Sequence, residues 1–188
     1  GNATSIAANA TGLSTDTGTL SIAGNLDVVA SSTLAFQVTT AGTHGLTATF
    51  DAVTNRITSV SGTSTDGGND RLIVSGAFGL DAASAITVTL GNGFTGGYQS
   101  VFDLIDWSGA GITLAYYDDG DGIRAGGSVE NALFALDLPD LAALNSSWFW
   151  DVSQFGSTGV IAIVPEPGRG ILLLAGLATL ILRRRSRR

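Results

Sequence analysis

The sequence predicts an all-β protein whose chain ends in a transmembrane helix. Apolar residues alternate with small or polar residues along much of the chain, which is the period expected for half-buried strands. This pattern recurs after 52 residues, and the last 25 residues differ in composition from everything before them. We therefore divide the chain into a β-rich body, residues 1–163, and a C-terminal segment, residues 164–188.

The first strands are expected between residues 20 and 38. Short breaks at Gly24-Asn25 and Ala30-Ser31-Ser32 contain turn-forming residues and separate the strands. Side chains two positions apart share one face of a strand, so the alternation collects the apolar residues on a single face. These apolar residues are Leu20, Ile22, Leu26, Val28, Leu34, Phe36 and Val38.

The stretch 20–53 matches the stretch 72–105 without a gap. Gly24 falls on Gly76, and Phe50-Asp51 falls on Phe102-Asp103. A repeat of this kind indicates β units that stack and bury their faces on each other, although two alternating stretches can also align by chance. We expect ten residues of the two copies to point inward: Leu20, Ile22, Leu26, Leu34, Phe36, Leu72, Val74, Phe78, Ile86 and Val88.

The second copy leads from Asp70-Arg71-Leu72-Ile73-Val74-Ser75-Gly76 to the aromatic run Val101–Trp107. In pattern, this stretch resembles the strand-rich C-terminal ends of bacterial passenger-like proteins with autotransporter-like repeats. The resemblance implies a parallel β-helix, a solenoid-like fold with a capping end. A β-sandwich is the alternative, because short strands at even spacing suit both architectures.

Gly91-Asn92-Gly93-Phe94-Thr95-Gly96 has the spacing of a dinucleotide-binding fingerprint. That motif requires a helix immediately afterwards, whereas residues 97–102 are expected to form a strand. We therefore interpret it as a glycine-rich turn. Further on, Trp148 and Trp150 should share the buried face of a strand, and Gly159–Val164 should form the last strand before Pro165.

An acidic turn at Tyr116–Gly122 contains Asp118, Asp119 and Asp121. Closely spaced carboxylates with glycines between them can wrap Ca²⁺, which takes six to eight oxygen ligands. The spacing does not match an EF-hand loop, because Arg124 stands where that loop needs a glycine. These three residues are a candidate Ca²⁺ site, and the alternative is a solvated acidic turn; we expect no other cofactor.

The C-terminal segment has three consecutive parts. The first contains Pro165, Glu166 and Pro167, whose prolines fix φ and favour extended chain. The second is the uncharged run from Ile171 to Leu182, about 18 Å long as a helix and therefore short for a bilayer of about 30 Å. Its anchoring residues are Ile171, Leu172, Leu173, Leu174, Leu177, Leu180, Ile181 and Leu182. The third is a basic end that suits the cytoplasmic side of a membrane, formed by Arg183, Arg184, Arg185, Arg187 and Arg188.

This order of Pro-Glu-Pro, apolar helix and arginine cluster resembles the PEP-CTERM sorting signal. The resemblance implies an exported protein of a Gram-negative bacterium and processing near Pro165-Glu166-Pro167 by an exosortase, a membrane protease. The protein would be held transiently in the inner membrane and then moved to the cell surface or the extracellular space. The alternative is a tail-anchored protein with an incidental Pro-Glu-Pro sequence.

Composition restricts the function of the body. Residues 1–167 contain three arginines, no lysine and all sixteen acidic residues, a net charge of −13. So acidic a body should bind neither nucleic acid nor anionic lipid. The chain has no Cys and a single His, His44, so it offers no thiol chemistry and no histidine cluster for a metal.

These features predict a surface or extracellular-matrix protein with a structural or adhesive role, and not an enzyme. Its expected partners are the exosortase, the inner membrane and an extracellular polysaccharide. The alternative function is that of a lectin-like carbohydrate-binding module. Tryptophan rings can stack on sugars, although burial in the core is the ordinary fate of such rings.

Overall fold

The computed structural model describes residues 17–39, 45–52, 54–65, 68–80, 84–108, 123–124, 127–130 and 134–165. Within these ranges the chain forms fifteen strands, a 3₁₀ helix at Leu141–Ala143 and a four-residue helix, α1, at Phe155–Thr158. The predicted all-β class is therefore confirmed. The first eight strands are β1 Thr19–Ile22, β2 Leu26–Val28, β3 Thr33–Val38, β4 Leu46–Phe50, β5 Ile57–Gly62, β6 Arg71–Val74, β7 Phe78–Leu80 and β8 Ser84–Leu90. The other seven are β9 Val101–Asp103, β10 Ile105–Trp107, β11 Ile123–Arg124, β12 Gly127–Glu130, β13 Phe134–Leu138, β14 Trp148–Asp151 and β15 Val160–Pro165.

Three strands of the first copy lie parallel to the equivalent strands of the second. β1 pairs with β6, β2 with β7, and β3 with β8. The register places Leu20 beside Leu72, Leu26 beside Phe78 and Phe36 beside Val88. Each paired position therefore lies beside its sequence equivalent 52 residues later, and similar side chains stack on one another.

The later part of the sequence match does not correspond to paired strands. β4, which contains Phe50, forms an antiparallel hairpin with β5. β9, which contains Phe102 and Asp103, pairs instead with β15. Strand alternation specifies which face is buried, but it leaves the hydrogen-bonding partner to the rest of the chain.

Further strands extend the sheets beyond the two copies. β10 lies parallel to β6, with Ile105 opposite Leu72, and β13 lies parallel to β8, with Leu136 opposite Ile86. The resulting sheets have the orders β1-β6-β10 and β12-β13-β8-β3. The C-terminal strands form another sheet, ordered β11-β14-β15-β9, whose pairs are all antiparallel.

Nine of the ten residues expected to point inward are buried or half-buried. The buried ones include Leu72, Val74 and Ile86, and the half-buried ones are Ile22 and Leu34. The expectation is wrong for Leu20, which is 42% exposed, whereas its partner Leu72 is 4% exposed. Among the described strands, β1 has a neighbour on one side only, whereas β6 lies between β1 and β10.

The C-terminal strands agree with the sequence. Trp150 is fully buried in the main core, and Trp148 packs against that core from a half-buried position. The Trp150 indole N–H donates to the carbonyl of Pro139 over 2.8 Å, and the ring lies edge-on to Phe102. β15 confirms the expected last strand, because it runs up to Pro165.

In the described part of the chain, no helix has both the length and the apolarity to span a membrane. The predicted membrane segment, Ile171–Leu182, lies outside the described residues, as does the acidic turn with Asp118, Asp119 and Asp121.

Gly159 occupies a position that excludes a side chain. It ends α1 with φ 70°, in the left-handed region, and its N–H donates to the carbonyl of Phe155 over 2.8 Å. A Cβ built on Gly159 would lie 1.8 Å from the carbonyl oxygen of Ile105. Glycine therefore allows α1 and β15 to approach β10.

We expect Gly159→Ala to destabilise the fold much more than Gly93→Ala. Gly93 has nearly the same φ, 75°, but a Cβ there meets no atom within 4 Å. Gly93→Ala should cost only the left-handed backbone strain, about 1–2 kcal/mol. Gly159→Ala adds a backbone overlap and should cost at least about 2 kcal/mol more. Urea denaturation of both variants measures the difference; equal losses would contradict the close approach to Ile105.

Candidate functional site

Four polar residues meet where β6 begins and form what we call the Arg71 cluster: Ser64, Arg71, Asp103 and Asp106. The Arg71 Nε lies 3.2 Å from Asp103 Oδ2, and the Nη2 atom is ion-paired with Asp106 Oδ2. The Ser64 hydroxyl donates to Asp103 Oδ2, while the Arg71 Nη1 donates to the Ser64 carbonyl over 3.2 Å. One guanidinium therefore bridges two carboxylates.

Strand alternation explains why Arg71 and Asp106 meet. In β6, Leu72 and Val74 are buried in the core, so Arg71 belongs to the other face. In β10, Ile105 is buried opposite Leu72, which places Asp106 on the same outer face as Arg71. Diagonal neighbours on adjacent strands are within reach of a side chain as long as arginine.

The two residues before Arg71 connect the cluster to the first copy of the repeat. The Asp70 carboxylate accepts the N–H of Gly18 over 2.9 Å and the N–H of Gln37 over 2.8 Å. The Asn69 side-chain amide donates to the Asp103 carbonyl over 2.7 Å. Asn69 is buried, so its bond to Asp103 satisfies an amide that water does not reach.

A cleft of about 350 Å³ opens beside the Arg71 cluster. The β4–β5 hairpin supplies much of its wall, and hydroxyl groups give it a largely polar lining. Hydroxyl, guanidinium and carboxylate groups are the hydrogen-bonding groups that recognise polyhydroxylated molecules. The lining residues are Leu46, Val60, Ser61, Gly62, Thr63, Ser64, Arg71, Asp103, Asp106, Thr158 and Val160.

Burial dominates the electrostatics of Asp103, whose side chain is 3% exposed. Loss of solvation raises the pKa of Asp103 from its ordinary value of 3.8 to about 6. The Ser64 hydrogen bond lowers this pKa, the negative charge of Asp106 raises it, and the positive charge of Arg71 lowers it. The carboxyl therefore titrates in mildly acidic solution.

A second buried carboxylate, that of Asp151, has a structural role. Its Oδ2 accepts the backbone N–H of Ile57 over 2.6 Å, and its Oδ1 accepts the N–H of Ser153 over 2.9 Å. The first of these bonds joins β5 to β14 across 94 residues of sequence. It holds the hairpin that forms the wall of the cleft.

Pro165 is the one residue of the predicted processing motif that the structure describes. It is the last residue of β15 and pairs with Trp148. Glu166, Pro167, the anchoring residues and the terminal arginines lie outside the described residues, and so do the three aspartates of the candidate Ca²⁺ turn. In the ranges that are described, no group of three or more His, Cys, Asp or Glu side chains could hold a metal ion.

The sequence reasoning did not find the Arg71 cluster. Its members come from four places in the chain, and no short motif contains them. One signal was available: Arg71 is one of only three arginines before residue 164. A lone cation on the outer face of a strand, in so acidic a body, indicates carboxylate partners.

The glycine-rich stretch Gly91–Gly96 is a turn, as expected. It follows β8, and the next regular element is the strand β9 rather than a helix. This stretch therefore lacks the helix N-terminus with which a dinucleotide-binding motif holds a phosphate.

Comparison with protein-family models, with curated proteins and with solved structures finds no match for this chain.

We expect Asp103 to make the folded state more stable in acid than at neutral pH. The folded-state pKa lies above the unfolded value, so the folded state binds the proton more tightly. This contribution is fully present below pH 3.8 and is lost as the pH rises through about 6. At about 1.36 kcal/mol per unit, the loss is about 3 kcal/mol.

Asp103→Asn should remove this dependence, because an amide resembles the protonated carboxyl. Urea denaturation between pH 4 and pH 7 should show the variant gaining stability relative to the parent chain as the pH rises. Asp137→Asn, at an exposed position of β13, is the matched control and should show no such gain. A constant difference between Asp103→Asn and the parent across this range would contradict the assignment.

Proposed function

We propose that this chain is an exported surface or extracellular-matrix protein of a Gram-negative bacterium, with a structural or adhesive role. Its C-terminal segment tethers it to the inner membrane until an exosortase processes it. The role proposed is not catalytic. The observation that carries the proposal is the position of Pro165, which is both the last residue of β15 and the first residue of Pro-Glu-Pro.

Each part of the segment has a physical task in this proposal. Pro165 and Pro167 favour the extended backbone that a protease active site binds. The uncharged run Ile171–Leu182 partitions into the bilayer, and its shortness makes it dependent on the flanking arginines. Long arginine side chains reach the interface and extend the effective span.

We further propose that the body is the end of a parallel β-helix, with a β-sandwich as the alternative architecture. Its support is the register of β1, β2 and β3 on β6, β7 and β8 at a constant offset of 52 residues. The antiparallel sheet of β9, β14 and β15 would then be the capping end. Stacked β units form stiff, elongated bodies, which suit a structural or adhesive role.

The charge of the body fits release from the membrane. Residues 1–167 carry a net charge of −13, so this part of the chain is repelled by anionic lipid and remains soluble once the anchor is removed. The membrane association of the protein thus depends on the C-terminal segment.

A second candidate function is carbohydrate binding, and the cleft beside the Arg71 cluster favours it. Ser61, Thr63 and Ser64 contribute hydroxyls to its lining, and Arg71 and Asp106 contribute charge. Trp148 and Trp150 cannot both stack on a sugar, because Trp150 is fully buried. Under this alternative, extracellular polysaccharide is the ligand class.

We expect the mature protein in its native host to lack residues 171–188, because processing near Pro-Glu-Pro removes the anchor. Replacing Pro165, Glu166 and Pro167 with alanine should block processing and leave the full chain in the inner membrane, since insertion uses the residues after Gly170. Intact-mass measurement of the mature protein and of the variant tests both statements.

The control is the parent chain expressed in a host without an exosortase, where it should fractionate with the inner membrane at full length. A mature C-terminus at Arg188 in the native host would show that the segment is an ordinary tail anchor. A full-length chain found in the soluble fraction of the second host would contradict membrane insertion itself.

A further inference from the structure

Two of the large apolar or aromatic side chains that the structure leaves exposed lie near the point where the C-terminal segment leaves the body. Tyr98 and Leu144 are each 51% exposed. Half-buried Trp148 follows Leu144 by four residues in the chain, and its strand partner is Pro165. We call Tyr98, Leu144, Trp148 and Pro165 the exit patch.

Backbone contacts bring these residues together at one end of the C-terminal sheet. The N–H of Gln99, the residue after Tyr98, donates to the carbonyl of Ile163 over 2.8 Å. A Cβ built on Gly97 would lie 3.7 Å from the Trp148 ring carbon Cη2. Leu144 precedes Asn145, whose carbonyl accepts the N–H of Trp148 over 3.0 Å.

The exit patch is free of charge on an acidic body. Residues 82–102 and 141–150, which contain Tyr98, Leu144 and Trp148, include no charged residue. Residues 1–167 as a whole carry a net charge of −13. These two stretches thus lack the negative charge that repels the rest of the body from a lipid surface.

The tether between the patch and the apolar run is short. Only residues 166–170 separate Pro165 from Ile171. The six Cα–Cα steps from Pro165 to Ile171 span at most about 22 Å even when fully extended. Insertion of residues 171–182 therefore keeps Pro165 within that distance of the bilayer, whose interface favours Tyr and Trp rings.

We propose that the exit patch contacts the headgroup region of the bilayer while the C-terminal segment is inserted. This inference rests on the proposed function, because it requires the segment to enter a membrane. The contact orients the body so that the start of β14 and the end of β15 face the lipid. It also places Pro165 at the membrane surface, where a protease embedded in the same membrane can reach the adjoining residues.

The absence of cysteine allows a direct test with single-cysteine variants of the full chain. Tyr98→Cys and Leu144→Cys report on the patch. Val29→Cys is the matched control, since Val29 is 57% exposed and follows β2, which belongs to a different sheet. Each variant carries a fluorophore and is inserted into phosphatidylcholine vesicles that contain a lipid with a quencher in its headgroup.

We expect quenching at positions 98 and 144 to exceed quenching at position 29 at least threefold. Circular dichroism confirms that each variant is folded, and flotation confirms that it is inserted. Flotation with equal quenching at the three positions overturns the exit-patch contact and leaves the anchoring role intact. Failure to float contradicts both. If soluble polysaccharide protects positions 98 and 144 while lipid does not quench them, the patch binds glycan and the proposal is wrong.

Discussion

The register of parallel strands at a 52-residue offset is the constraint on which the rest of the body depends. In a parallel pair, the ladder bonds run between neighbouring strands, and residues at paired positions place their side chains on the same face. Leucine therefore lies on leucine and phenylalanine on valine, and a shift by one residue would turn every apolar side chain outward. The core follows from that register: Leu72, Val74 and Ile86 are buried because strands lie on both sides of β6 and β8.

Ion pairs and hydrogen bonds hold the start of the second copy, at Asp70 and Arg71. Asp70 binds the backbone of both Gly18 and Gln37, and Arg71, the next residue, binds two carboxylates from β9 and β10. Burial of Asp103 opposes its ionisation, while Arg71 and Ser64 favour it. Desolvation raises the pKa of Asp103 more than these two partners lower it, so ionisation of Asp103 costs folding free energy.

Local periodicity was enough to predict the all-β class, the strands between residues 20 and 38 and their equivalents in the second copy, and the burial of Trp150. The same periodicity could not choose partners for β4 and β9, since the hairpin partner of β4 and the antiparallel partner of β9 are set by distant chain segments. The exposure of Leu20 depends on the position of β1 in its sheet, which alternation does not encode. The Arg71 cluster could not be predicted for a related reason: Ser64, Arg71 and Asp103 become neighbours only through the strand order.

The attachment of the C-terminal segment suits a tethered body. Pro165 ends β15, and β15 lies inside its sheet with β14 on one side and β9 on the other. A strand at a sheet edge can be peeled away along one ladder, whereas a pull on an internal strand must break ladders on both sides. Asp151 adds a bond from β14 to the β4–β5 hairpin, so a load at Pro165 spreads into a second part of the fold. Removal of the residues after Pro165 would leave all of these bonds in place, because none of them involves the anchor. In the proposed function, the fold therefore bears the tether while it is attached and does not need it afterwards.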